Sequence, residues 1–240
     1  MKTFKKMLLS MAIAAGVATS AQASPINVGG VVWDPDAATD FTSQSINMEQ
    51  FINTTSGELT GFGIITAMNG TSDFCPGCEL TFQFSGFMPT GGDVIPGLGQ
   101  TVNYMGGIVN VYVGAAEIAN PADYNSLSSA NTGNGTLWLS LANHGTFLGT
   151  NFMNTQLSGL GLLDVTGGLA ASNFDTNTQA DGADIGLTTS LSYKHTAGSL
   201  TDLSGTGNFV GNSIPEPGTI ALLGLGLLGA AFTRRRKSKK

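Results

Sequence analysis

The long middle of this sequence has almost no positive charge. Of ten Lys and Arg residues, three lie in the first six positions and six in the last seven, so Lys194 is the one cation between Ser24 and Ile214. The same stretch carries fifteen of the sixteen acidic residues, which gives a formal charge near −14. Because binding to a nucleic acid requires a basic surface, the composition excludes a nucleic-acid partner.

The sequence is also poor in cysteine. Its two cysteines lie in Cys75-Pro76-Gly77-Cys78. In an oxidising compartment two thiols this close predict a disulfide, which would hold the Pro-Gly turn at the start of a strand. A thioredoxin-like redox pair would need a strand–helix context that is missing here. A zinc site would need His144 and His195, which lie 66 and 117 residues beyond Cys78, and this is no zinc-finger spacing.

No long segment between the two ends has the 3.6-residue period of a helix, which argues against a parallel β/α fold. Several segments alternate with period two or are rich in β-branched residues instead, and many Gly-containing turns separate them. The predicted strands cover residues 59–68, 80–85, 108–113, 137–141, 185–193 and 207–210. The sequence therefore predicts an all-β body, built as an antiparallel sandwich or a jelly roll.

Three details of this prediction concern side chains. Leu80, Phe82 and Phe84 should share one face of their strand, and the leucines of residues 137–141 should share one face of theirs. Gly61 and Gly63 predict a bulge or close packing. Two short helical pieces are expected, one after Asn120-Pro121, which would serve as N-cap and first helical residue, and one turn at Ala170-Ala171.

The N-terminus has the features of a secretory signal peptide. Lys2, Lys5 and Lys6 give a positive start, an apolar stretch runs over residues 7–18, and Ala21-Gln22-Ala23 forms an A-x-A cleavage site. We predict a signal helix over residues 1–23, cleavage by signal peptidase, and a mature chain that begins at Ser24. The exported β-rich domain then covers residues 24–213.

The C-terminal residues 214–240 form a tail of three parts. Ile214-Pro215-Glu216-Pro217 interrupts any helix, because proline lacks an N–H donor. The uncharged run Gly218–Phe232 would be roughly 22 Å long as a helix at about 1.5 Å per residue, which is marginal for a bilayer. With Thr233 it predicts a short transmembrane helix over residues 218–233 in the inner membrane. Residues 234–240 form a basic end that should stay cytoplasmic.

This tail resembles the PEP-CTERM sorting signal. The resemblance rests on Pro215-Glu216-Pro217, the Gly/Leu-rich segment Leu222–Ala231, and the cluster Arg234, Arg235 and Arg236. It implies processing by an exosortase, a membrane transpeptidase, in a Gram-negative bacterium that makes exopolysaccharide. The alternative is a plain membrane anchor. The same tail is also labelled an ice-binding-protein C-terminal motif, and that label is no evidence for ice binding.

Two acidic patches between the ends are candidate cation sites. One is Asp34-Pro35-Asp36 with Asp40. The other, the weak calcium candidate, surrounds Gly182 and consists of Asp175, Asn177, Asp181 and Asp184. Calcium requires several oxygens that converge from a loop, but position 12 of an EF-hand counted from Asp175 is Gly186 instead of Glu. Turn formation explains both patches as well, because Asp and Asn tolerate left-handed backbone conformations.

Residues that could perform catalysis are scattered. No serine lies in a G-x-S-x-G motif, and Lys194 beside His195 offers no triad. A glycosidase would need two facing carboxylates, and the glutamates that could supply them are Glu49, Glu58, Glu79 and Glu117. The aromatic residues that could stack on a sugar, or pack in the core, are Trp33, Trp138, Tyr104, Tyr112, Tyr124 and Tyr193.

These observations predict an exported, surface-sorted protein that is not an enzyme and has no cofactor. Its body would act structurally or adhesively in an exopolysaccharide-associated matrix, at the cell surface or outside the cell. A carbohydrate- or calcium-binding module is the alternative, and a secreted hydrolase is a third hypothesis.

Overall fold

A computed structural model describes residues 23–41, 45–91, 99–153, 156–197 and 200–214. It contains eleven β-strands, one short α-helix and two 3-10 turns in the described part. The elements are β1 Ile26–Val28, β2 Val31–Trp33, β3 Ile46–Asn53, β4 Leu59–Ile65, β5 Cys78–Pro89, β6 Thr101–Met105, β7 Ile108–Ala115, β8 Thr136–Met153, β9 Gln156–Gly167, α1 Ala171–Phe174, β10 Ile185–Ala197 and β11 Leu200–Val210, with 3-10 turns at Tyr124–Ser126 and Ala180–Gly182.

Strands β3 to β11 form one antiparallel sheet that closes on itself. Strands that follow one another in the sequence are neighbours, and β11 pairs with β3 to complete the ring. Strands β6 and β7 occupy one position in this ring, because both lie between β5 and β8 and only Gly106-Gly107 separates them. The nine strands therefore fill eight positions.

The all-β, antiparallel character is confirmed, and the sandwich or jelly-roll arrangement is corrected. A sandwich has two separate sheets and a jelly roll requires connections that cross between them. Here each of the eight positions of the ring pairs with the next one along the chain, and the described part of the ring forms a single sheet. Local alternation identifies strands, but it carries no information about the pairing of the first strand with the last one.

The apolar side chains of the alternating segments point into the closed sheet, as the sequence predicts for β5. Leu80, Phe82 and Phe84 of β5 are buried, and so are Ile185, Leu187 and Leu191 of β10. In β3 every second residue is buried, which gives a strict two-residue pattern. The apolar core therefore lies inside the ring, and polar residues alternate onto its outer face.

The expected face of residues 137–141 is corrected by a β-bulge. Val111 of β7 pairs with Leu139 of β8, but Tyr112 pairs with Leu137, so Trp138 is an extra residue in β8. The bulge turns the Trp138 side chain inward, where it is fully buried, and leaves Leu137 38% exposed. The Trp138 indole N–H donates to the carbonyl of Val28 at 3.0 Å, which satisfies its polar group.

Gly61 and Gly63 show both predicted features. The β4–β5 register shifts between Leu59 and Gly61. A Cβ atom at Gly61 would lie 2.4 Å from Cζ of Phe84, and one at Gly63 would lie 2.3 Å from Cζ of Phe82. The two phenylalanine rings thus lie directly against the glycine backbone, and no larger residue fits there.

One end of the closed sheet is covered by additional elements. We call this end, where β3, β5, β8 and β10 begin, the base. The hairpin β1–β2 and helix α1 lie there, and Trp33, Trp138 and Phe174 form a ring cluster with centroids 5.4–5.8 Å apart. Phe41 extends this cluster by contacting both Phe174 and Phe209. The cluster closes the base with apolar side chains.

Of the two short helical segments predicted from the sequence, one is confirmed and the other is corrected. The turn at Ala170-Ala171 is confirmed, since α1 begins at Ala171. The helix after Asn120-Pro121 is corrected: the 3-10 turn begins only at Tyr124, and Asp123 caps it by accepting the N–H of Asn125 at 3.0 Å.

Candidate functional site

The last described residues are tied to the base. The backbone N–H of Ser213 donates to Oδ2 of Asp40, and the indole N–H of Trp33 donates to Oγ of Ser213 at 2.8 Å. Asn69 donates from Nδ2 to Oδ1 of Asp40 at 3.0 Å. We call Asp40, Asn69, Trp33 and Ser213 the C-terminal clasp. It joins residues that lie as much as 180 positions apart in the sequence.

Asp40 is a buried residue, with only 1% of its surface exposed. Burial raises its pKa above the ordinary value of 3.8, and the nearby charge of Asp34 acts in the same direction. The hydrogen bonds from Ser213 and Asn69 oppose this shift, because they stabilise the charged form. Loss of hydration is therefore the larger effect at this carboxyl group.

The chain leaves the closed sheet directly before the Pro-Glu-Pro segment. The carbonyl of Gly211 accepts the N–H of Asp40 at 3.0 Å, and the N–H of Ile214 donates to the carbonyl of Asn173 at 2.9 Å. The tail residues Pro215, Glu216, Pro217, Arg234, Arg235 and Arg236 lie outside the described residues, as does the predicted helix 218–233. Among the residues that are described, no helix has the length and apolar character needed to cross a membrane.

The predicted signal cleavage site is described only from Ala23 onward, so the signal helix and Ala21 lie outside the described residues. The N–H of Ala23 donates to Oδ2 of Asp36 at 2.5 Å. Ser24 follows it directly and precedes β1. Because Ala23 is the last residue of the predicted signal peptide, cleavage would remove this contact. The mature chain would begin at Ser24, beside β1 at the base, where the tail also leaves the body.

Cys75 and Cys78 form a disulfide, with Cα atoms 5.1 Å apart. The N–H of Cys78 donates to the carbonyl of Cys75 at 3.1 Å, and Gly77 has a φ of +78°. This is the turn that Pro-Gly favours. Because β5 begins at Cys78, the bridge lies where the turn enters the strand.

The candidate calcium residues shape a loop instead of converging on a common metal position. Asp184 is buried and accepts three backbone N–H groups, from Val165, Thr176 and Asn177, each at 2.7 Å. Asn177 and Asp181 adopt positive φ values of 52° and 56°. Asp175 and Asp181 are exposed. Asp184 therefore organises the loop before β10, as turn chemistry predicts.

The first acidic patch also organises a turn. Oδ1 of Asp34 accepts the N–H of Asp36 at 3.0 Å, and the N–H of Asp34 donates to Oδ1 of Asn69 at 2.7 Å. Within the described ranges no three Asp, Glu, His or Cys side chains are grouped so that they could hold a metal ion.

The structure gives His144 an acidic neighbour that the sequence did not indicate. Nδ1 of His144 lies 2.8 Å from Oδ2 and 2.9 Å from Oδ1 of Asp164. The two residues lie on the adjacent strands β8 and β9. His195 lies in β10, and its side chain is not among those described. Lys194 forms an ion pair with Glu49, so the one cation of the body is neutralised.

The other glutamates of the glycosidase hypothesis bind backbone or amide groups. Glu58 accepts the N–H of Gly86 at 3.1 Å. Oε2 of Glu79 accepts the N–H groups of Glu117 and Ile118 at 3.1 and 3.0 Å, and Glu117 accepts Nδ2 of Asn134 at 3.0 Å. These contacts hold loops against the sheet.

The six candidate aromatic residues occupy different environments. Trp33, Trp138 and Tyr104 are buried inside the closed sheet or its base, and burial raises the pKa of Tyr104 to about 12. Tyr112 is half-buried on the outer face, as is Tyr124 in its turn, and Tyr193 is 40% exposed. Tyr112 lines a groove on the outer face of the sheet.

That groove, which we call the outer groove, crosses the outer face of β11, β3, β4, β5 and β7. It has a volume of about 440 Å³ and is open to solvent. All of its lining residues are uncharged: Phe51, Thr60, Gly61, Phe62, Gln83, Phe84, Ser85, Ile108, Asn110, Tyr112, Ser129 and Leu200. By contrast, a void inside the sheet near Phe82 and Phe147 measures about 20 Å³, room for little more than one water molecule.

Two amide side chains lie in the centre of the outer groove. Gln83 and Asn110 are cross-strand partners, and Phe62 is the partner of Gln83 on the other side. The alternation of residues 80–85 and 108–113 could have placed Gln83, Asn110 and Tyr112 on the outer face. Their adjacency depends on the pairing of β4, β5 and β7, which no local pattern specifies.

The molecule thus combines a closed antiparallel sheet with a C-terminal segment that leaves from its base. Residues 213–237 match the family model of the PEP-CTERM protein-sorting motif, which confirms the resemblance seen in the sequence. The motif implies export, sorting toward the cell surface and processing by an exosortase. No curated protein and no solved structure matched the chain.

Proposed function

We propose that this chain is a non-enzymatic structural or adhesive protein of an exopolysaccharide-associated matrix, delivered there by its tail. The observation that carries the proposal is the sorting motif at residues 213–237, which follows directly on a folded segment. The motif bears on delivery of the protein to the cell surface. The role in the matrix is the further step of this proposal.

The surroundings of the polar side chains support a structural role. The described glutamates hold loops or pair with Lys194, and Asp184 binds three backbone N–H groups. A carboxylate that is saturated by backbone donors is poorly placed to act as an acid or base. His144 and Asp164 are adjacent, but a histidine–carboxylate pair needs a nucleophile to catalyse acyl transfer.

Deletion of the tail from Pro215 onward tests the sorting step in cells. Because the clasp residues remain, we expect the body to fold and to be released in soluble form instead of staying with the membrane or surface. Fractionation with an antibody against the body measures this. The matched variant changes only part of the tail. It replaces Arg234, Arg235 and Arg236 with Ser, which alters the charge of the tail and leaves Pro-Glu-Pro intact.

Unchanged surface retention of the deleted chain would refute a sorting role for the tail. The matrix role is tested separately by isolating extracellular polysaccharide from the producing strain. We expect the processed body to be recovered with the polymer, and recovery only in the polymer-free medium would contradict that role.

A further inference from the structure

We propose that the outer groove binds a neutral polysaccharide chain. This inference deepens the proposed matrix role. It rests on that role, because the matrix is where the protein would encounter the polymer. The first reason is charge. The body has a formal charge near −14, yet none of the groove's lining residues is charged. An anionic polymer would be repelled by the body, and a cationic one would find no carboxylate among the lining residues.

The carboxylates that pair across strands with lining residues lie at the edge of the groove. Glu49 is the cross-strand partner of Phe62, and Asp202 is the partner of Phe51. Glu49 is neutralised by Lys194. The groove thus presents an uncharged strip bordered by acids, which favours a neutral ligand over an anionic one.

The second reason is the arrangement of rings. Phe51 and Phe62 have centroids 5.6 Å apart, and Tyr112 lies on β7, two strand positions from Phe62. Phe62 is held in place because it packs against Ile64, Ile118 and Leu127 beneath the loop that follows β7. Half-buried rings whose position is held by packing offer flat apolar surfaces, on which the C–H faces of sugar rings can stack.

The third reason is unused hydrogen-bonding capacity between the rings. Gln83 donates from Nε2 to the carbonyl of Ser129 at 2.7 Å, which holds the amide in place. Oδ1 of Asn110 accepts from Oγ of Ser140 at 2.8 Å. Within the described part of the chain, Oε1 of Gln83 and Nδ2 of Asn110 have no protein partner. An acceptor and a donor on adjacent strands can serve neighbouring sugar hydroxyls.

The groove also has the shape of a site for a chain. Its lining residues lie on five adjacent strands, from Leu200 at the start of β11 to β7, a span of four strand spacings or roughly 19 Å. It is open to solvent and does not end in a closed pocket. Such a site suits a polymer that continues beyond it better than a small free sugar.

Affinity electrophoresis tests the proposal with the full chain, exported by a bacterial host and purified in detergent. The gels contain dextran, mannan or hydroxyethyl cellulose as neutral polymers, or alginate as an anionic one. We expect at least one neutral polymer to retard the chain and alginate to have no effect. The apparent dissociation constant follows from the dependence of mobility on polymer concentration.

Two variants assign the binding to the groove. Phe62→Ala removes a ring, and Asn110→Asp removes the Nδ2 donor and adds a charge without changing the side-chain volume. Each should weaken retardation on the order of tenfold, equivalent to about 1.4 kcal/mol. The matched control is Tyr193→Ala, which removes an exposed ring on β10 outside the groove and should leave retardation unchanged. Thermal melting checks that each variant is folded.

Retardation by no neutral polymer, retardation by alginate alone, or equal retardation of the chain and of folded Asn110→Asp would each overturn the proposal. Because Asn110→Asp keeps the side-chain volume, it carries the test even if Phe62→Ala unfolds. Failure here leaves the sorting proposal intact, since that proposal is measured by the location of the tail-deleted chain in cells.

Discussion

Asp40 is the residue on which the C-terminal clasp depends. Its two carboxylate oxygens accept the backbone N–H of Ser213 and the side chain of Asn69, so it connects the end of the folded body with the loop that follows β4. The raised pKa means that the folded protein holds the Asp40 proton more tightly than the unfolded chain does. The contribution of this residue to stability is therefore largest below pH 3.8 and declines as the pH rises through the folded-state pKa.

We predict that Asp40→Asn removes this pH dependence. An amide has nearly the shape of the protonated acid and does not titrate in this range, so the variant should gain stability relative to the parent as the pH rises from about 4 to 7. Urea unfolding of both proteins across this range measures the difference. All other acids are common to both chains, so the titration of those that do not interact with Asp40 cancels. A stability difference that is the same at pH 4 and pH 7 would contradict the prediction.

The strands of the closed sheet owe their packing to glycines that face inward. Gly63 is an example: an added Cβ would lie 2.3 Å from Phe82 and 2.4 Å from the backbone carbonyl of Asn47. The ring could move, but the carbonyl belongs to the β3–β4 pairing and cannot. The aromatic ring thus fills the space that a side chain would take in an ordinary strand, and the two strands can approach closely.

We predict that Gly63→Ala lowers the free energy of unfolding by about 1–3 kcal/mol, as overpacking of a core does. Gly167→Ala is the matched control, because Gly167 also lies in a strand and its added Cβ would meet no atom within 4 Å. Chemical denaturation of both variants compares them. Equal stability of the two would show that β4 can move away from Phe82 at no cost.

The elements also show where sequence patterns succeed. Period-two alternation located β5 and β10 and identified the inward residues of β5, because burial on one face imposes that pattern directly; β7 was located by its β-branched residues. It failed at Trp138, where an extra residue in β8 reverses the faces, because a bulge depends on the partner strand. It could not associate His144 with Asp164 or Asp40 with Ser213, since those contacts depend on which strands become neighbours.

At the scale of the whole molecule, the base gathers most of the features that concern delivery. The N-terminal hairpin, the disulfide-closed turn, α1 and the C-terminal clasp all lie there, and the tail begins immediately afterwards. The outer groove lies on the side of the sheet and not among these elements. Processing of the tail and the proposed binding of a polymer therefore concern separate surfaces, and neither needs to interfere with the other.

The position of the clasp implies that the folded body extends to Ile214. A chain of residues 24–210 would keep all the strands, yet it would lose the Ser213 N–H that meets Asp40, the Ser213 hydroxyl that meets Trp33, and the Ile214 contact to Asn173. The buried carboxylate of Asp40 and the buried indole N–H of Trp33 would each lose a hydrogen-bond partner, which lowers the free energy of unfolding by about 1–3 kcal/mol each. We therefore predict that this chain melts at least about 4 °C below residues 24–214, since 1 kcal/mol corresponds to roughly 2–4 °C for a domain of this size. Residues 24–217 are the control and should melt with residues 24–214, because Pro215, Glu216 and Pro217 lie beyond the clasp. Calorimetry of the three chains measures this, and equal melting of 24–210 and 24–214 would mean that the clasp adds nothing to the fold.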